Sequence, residues 1–134
     1  MTPHRTERSG GEYVLATGAV LAGLGVAAGA FGAHALKTRL GADELEIWKT
    51  AATYQMYHAL ALVVAARLLG RYPVLLFRVA CGLFIAGIAL FSGSLYLLAL
   101  TGRAGLGAIT PVGGAAFLAA WACMAVGIVR SRGH

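Results

Sequence analysis

From Tyr13 to Ala33 the chain runs YVLATGAVLAGLGVAAGAFGA without one charged residue. At about 1.5 Å per residue, a helix over this stretch covers the roughly 30 Å hydrocarbon core of a bilayer. Three more apolar runs follow, Ile47 to Leu69, Val74 to Leu100 and Ile109 to Val129. Lipid offers no partner to a free amide, so segments of this kind must be helical. The expected fold is all-α: an integral membrane four-helix bundle over residues 13–129, with spans 13–33, 47–69, 74–100 and 109–129. Residues 1–12 read as a disordered polar tail and 130–134 as a basic one.

Charge content agrees. Only 12% of the residues are Asp, Glu, Lys or Arg and 59% are hydrophobic, whereas a soluble domain carries roughly a quarter charged. So few charges cannot cover a surface facing water. The third run is longer than a bilayer requires, which implies tilt. Tyr72-Pro73 and Thr110-Pro111 place proline where a helix begins, and Thr110 is positioned to cap the fourth. Arg5, Arg8 and the sequence Ala33-His34-Ala35 imitate a secretory signal, but the apolar run exceeds the usual signal core and reads as a span. The loops are short. The longest, Leu36 to Glu46, is charged and suits a turn lying at the interface.

The net charge of +6 and pI near 9.9 do not indicate nucleic acid. The basic residues lie between apolar runs rather than in a patch with interleaved aromatics. Arg5, Arg8, Arg67, Arg71, Arg78, Arg130 and Arg132 fall on the side of the termini, against Lys37, Arg39, Lys49 and Arg103 on the other. Seven against four places both termini in the cytoplasm. Arg78 must snorkel to be counted. Membrane lipids are the expected surroundings.

Periodicity at 100° per residue puts Ala51, Tyr54, Gln55, His58, Ala61, Leu62 and Ala65 on one stripe of the second helix. On the third, Cys81, Ile85, Ala89, Ser92, Tyr96 and Ala99 share a face. Tyr54, Gln55 and His58 lie about 10–17 Å from the outer end, and Ser92 about 12 Å, so the two stripes can meet in one layer. The candidate polar layer is His34, Tyr54, Gln55, His58, Ser92, Ser94 and Tyr96. His58 is the group most able to relay a proton or hold a metal. The preferred reading is a neutral ring bonded to Tyr54, Gln55 or Ser92 and locking helix register.

Helix packing is expected at Gly18, Gly25, Gly29, Gly32, Gly93, Gly113 and Gly114, small residues that allow close approach. The first helix carries Gly18, Ala22, Gly25, Gly29 and Gly32 on one side and Gly23, Ala27, Ala30 and His34 opposite. A helix smooth on both sides suits a central place in the bundle or a subunit contact. Trp48 and Lys49 read as interfacial anchors. Cys81 and Cys123 stand alone in apolar runs and read as buried thiols. No metal site, catalytic constellation or nucleotide motif is recognisable, and no cofactor is expected.

GAFGAHAL (Gly29–Leu36), WKTAATYQMYHALAL (Trp48–Leu62), LFSGSLYLLAL (Leu90–Leu100) and ITPVGG (Ile109–Gly114) occur in this order. Together they resemble the domain of unknown function 423 family, which includes the transmembrane-protein-256-like proteins. The likeness covers nearly the whole chain after the polar tail. It implies a small four-helix protein of the bacterial inner membrane and carries no established activity. The leading expectation is a non-enzymatic homo-oligomer or an accessory subunit of a membrane complex. The alternative is a small transporter or channel using the polar layer around His58.

Overall fold

The computed structural model describes residues 4–133, and among these there is no strand. Helix α1 is His4–His34 and α2 is Ala42–Arg71. The third rod consists of α3 (Leu75–Gly87), one π-helical turn (Ile88–Ser92) and α4 (Gly93–Thr101). A 3-10 turn (Ala104–Ala108) leads into α5, Thr110–Ser131. Three of the four rods contain segments long and apolar enough to cross a membrane: Gly10–His34, Leu75–Thr101 and Ala104–Ser131. The second carries Tyr54, Gln55, Tyr57 and His58 near its middle and is not among them.

Several ends differ from expectation. The polar stretch from His4 to Glu12 continues α1 instead of forming a tail, while residues 1–3 lie outside the described residues. Arg130 and Ser131 belong to α5, and His134 is likewise outside. Thr110 does not cap α5, whose first turn has no side-chain cap. Asp43 and Glu44 open α2 and Arg71 closes it, each sign matching the helix dipole. Gly102 takes a left-handed φ of 67° after α4, which a residue without Cβ adopts freely.

Glycine sets the packing. Against α2, Gly18 meets Val63, Gly25 meets Met56, and Gly32 receives the indole of Trp48. The paired numbers sum to 80 or 81, so α1 and α2 run antiparallel. Along α3–α4 and α5, Phe77 seats on Gly127, Gly87 receives Phe117, and Gly113 receives Phe91. These pairs all sum to 204, a straight antiparallel seam. The core lies where α2, α3 and α5 converge, around Leu62, Phe77, Phe84, Phe117 and Met124.

Helix α1 is not central. It packs essentially on α2 alone, whereas α2 also touches the third rod, and that rod packs in turn on α5. The opposite strip of α1, with Gly23, Ala27 and Ala30, is exposed. Gly29 is exposed too, with nothing near its Cβ position. The repeat in use is therefore the seven-residue spacing of Gly18, Gly25 and Gly32, not the GxxxG of Gly25 and Gly29.

The π turn explains a second difference. Gly93 N–H bonds Ile88 O, five residues back, and such a turn holds one residue more than an α turn. The face bearing Ser92 and Ala99 therefore continues upstream one residue early, through Ile88, Phe84, Cys81 and Phe77, which are buried. Ile85 and Ala89, expected on that face, point outward.

Candidate functional site

The polar residues of α2 and the third rod come together in pairs, each joining two helices. Gln55, buried on α2, donates from Nε2 to Leu21 O of α1 at 2.8 Å. Its Oε1 accepts the hydroxyl of Tyr96 on α4 at 2.7 Å. One amide thus links three rods. Ser92, fully buried at the end of the π turn, donates to Ala51 O of α2 at 2.7 Å. Ser94 bonds Thr110 of α5 at 2.6 Å and donates to Phe91 O at 3.0 Å. Among the described residues, every fully enclosed side-chain nitrogen or oxygen has a partner. That pattern is what an interior without water demands.

Trp48 belongs to the same system, although it reads in the sequence as an interfacial anchor. It is 8% exposed, donates from Nε1 to Ala28 O of α1 at 2.8 Å, and packs its ring 4.6 Å from that of Tyr96. No periodicity signals this, because the cause is the missing side chain of Gly32 on another helix. His34 stands apart: it is exposed at the end of α1 and joins none of these bonds. Gly93 has only its own π turn nearby, and Gly114 touches the edge of the Phe91 ring.

His58 occupies a separate place, one turn inward from Gln55. Its Nδ1 lies 2.7 Å from Tyr54 O. A carbonyl only accepts, so Nδ1 carries the proton and the neutral ring keeps Nε2 as an acceptor. The imidazole lies flat on Phe117 of α5, with centroids 3.5 Å apart and planes 6° apart. Phe84 and Trp121 are near its edges, at 5.9 and 6.1 Å. Beside it an open groove of about 570 Å³ runs between α2 and α5, lined chiefly by aromatic and aliphatic side chains. Tyr54 lies on the rim of this groove, 41% exposed, and not in the interior layer. Among the described residues no group of three His, Cys, Asp or Glu side chains is placed to hold a metal.

The family described as "Protein of unknown function (DUF423)" matches residues 28–114. That stretch includes Trp48, Gln55, His58, Ser92, Ser94, Tyr96 and Gly113. The UPF0382 membrane protein YwdK of Bacillus subtilis is 46% identical over 114 residues, 84% of this chain and 93% of that protein. A UPF0382 membrane protein of Staphylococcus saprophyticus is 46% identical over 82% of this chain and 91% of its own. The UPF0382 inner membrane protein YgdD of Escherichia coli K12 is 41% identical over 88% and 90%. No solved structure matches.

Proposed function

Because the chain belongs to the DUF423 family and is a protein of the bacterial inner membrane, we propose that it serves there as a non-enzymatic assembly component. In this reading all four helices cross the bilayer as a bundle with both termini in the cytoplasm. The chain then associates with copies of itself or with a larger membrane complex. The observation that carries the reading is the free side of α1. Gly23, Ala27 and Ala30 form an exposed strip directly opposite the glycines that grip α2. In lipid, close approach of backbones over small residues is what drives helices together. The saturated interior supports the same reading, since Gln55, Ser92, Ser94 and Tyr96 are engaged in joining rods.

Native mass spectrometry of the protein in nanodiscs tests this. The expected result is more than one copy, or a stable second protein, per particle, with a return to single chains in Ala27→Leu. Single chains throughout would reject it. Cysteine labelling at each end gives the orientation: both termini should react from the cytoplasmic side, while Asp43→Cys reacts from the opposite one.

The transporter reading retains one favourable observation, the groove that reaches His58. It opens between two helices on the flank of the molecule, a geometry suited to holding a molecule from the membrane.

A further inference from the structure

We infer that the groove between α2 and α5 is a binding site for a membrane-dissolved quinol, with His58 Nε2 accepting the bond from its ring hydroxyl.

The first ground is an acceptor without a partner. His58 is only 6% exposed, and its single hydrogen bond among the described residues is the one from Nδ1 to Tyr54 O. Nε2 sits on the opposite edge of the ring and takes no part in it. It is absent from the fully enclosed unsatisfied atoms, of which there are none, and His58 lines the groove. Nε2 is therefore reachable from the groove. The ring cannot swing away, since the Nδ1 bond and the flat contact with Phe117 hold it. His58 is also close to midway along α2, about 24 Å from its start and about 20 Å from its end at 1.5 Å per residue. In hydrocarbon a free acceptor is costly.

The second ground is what could occupy such a place. An acyl chain has no hydrogen to donate. A water molecule on Nε2 needs one to three further polar partners, and among otherwise hydrocarbon walls the groove offers only the Tyr54 hydroxyl on its rim and the Trp121 indole. The occupant must carry O–H or N–H on an apolar body. The walls specify its shape: Phe91, Phe117 and Trp121 present aromatic surface, and Gly114 and Ala115 leave room between them. A flat ring packs well there. The volume of about 570 Å³ falls within the roughly 300–1,000 Å³ of small-molecule pockets. From Pro111 to Trp121 the α5 wall extends about 15 Å, enough for a ring followed by part of an apolar tail. A quinol combines these properties. Its oxidised partner does not, because a quinone oxygen facing Nε2 sets acceptor against acceptor.

The groove serves binding alone, whatever the assembly state of the protein. The test is calorimetric titration of the protein in nanodiscs with decylubiquinol under anaerobic conditions, then with decylubiquinone, empty nanodiscs serving as blank. Saturable binding of the reduced form is expected, at least about tenfold tighter than the oxidised form. Ala115→Phe, which fills the groove from an exposed position, should abolish binding while thermal unfolding stays unchanged. His58→Phe keeps the ring stack and should erase the preference between the two forms. Equal affinity for both forms, binding no greater than to empty nanodiscs, or undiminished binding by Ala115→Phe would each overturn the assignment. So would mass spectra showing a phospholipid held in the groove and not displaced by the quinol.

Discussion

Two seams hold the molecule, and glycine is used differently in each. Between the third rod and α5, three phenylalanines sit directly on three glycines, in one register from end to end. The polar contribution there, among the described residues, is the bond of Ser94 to Thr110. Between α1 and α2 the glycines receive longer and more varied side chains: Val63, Met56 and Trp48. Two of the groups packed there, Trp48 and Gln55, also donate to main-chain carbonyls of α1. The first seam is interlocked by shape and lies in the core. The second fastens a helix that has one main neighbour. Disrupting the first should unfold the molecule, and disrupting the second should release α1 from an otherwise intact remainder.

The largest effect is expected at Gly113. A Cβ there would collide with the backbone of Phe91, which cannot move without shifting the π turn. Gly113→Val should cost about 3 kcal/mol, seen as loss of the whole unfolding transition in bicelles. Survival of a normal transition would mean that the register of this seam is wrong. Next comes Gly32→Val. The added atoms would lie within 2.5 Å of the Trp48 indole, a side chain that can partly give way. A cost of about 1–2 kcal/mol is expected, with increased proteolysis confined to α1. Gln55→Leu removes two hydrogen bonds, each worth about 0.6 kcal/mol on average and at most about 1.7 between membrane helices, so a cost of roughly 1–2 kcal/mol is expected. In a cycle with Tyr96→Phe the two changes should be non-additive. At Gly29, open on all sides, substitution by Val should change stability by less than about 0.5 kcal/mol.

The contrast also separates what the sequence discloses from what it hides. Four helices were legible from run length alone. The buried face of α2 was too, since Ala51, Gln55, His58, Ala61, Leu62 and Ala65 are buried at α-helical spacing. Along the third rod the same arithmetic fails at Ile85 and Ala89, because the added residue of a π turn leaves no mark in a hydrophobic pattern. Gly25 and Gly29 form a familiar motif, yet only Gly25 meets a neighbour. Motif spacing does not say which of two overlapping repeats the partner helix follows.

For the site, residue type was the informative signal. Gln55, Ser92, Ser94 and Tyr96 are polar within apolar runs, and each joins a second helix. Their partners were not legible, because two of these bonds end on backbone carbonyls, of Leu21 and Ala51. His34 has the chemistry of the layer and lies outside it, at the exposed end of α1. The groove was illegible for a related reason: it is a gap between α2 and α5, and a gap leaves no mark in the pattern of either helix.

That the interior polar layer joins helices and does not conduct is tested most directly at Ser92. This residue is fully buried, and its hydroxyl is closed onto Ala51 O. With Cys81 and Cys123 replaced by alanine, Ser92→Cys should resist a water-soluble maleimide applied from either side of sealed vesicles. It should react fully once the protein is unfolded in detergent. Rapid labelling of Ser92→Cys from one side of the intact membrane would contradict the account.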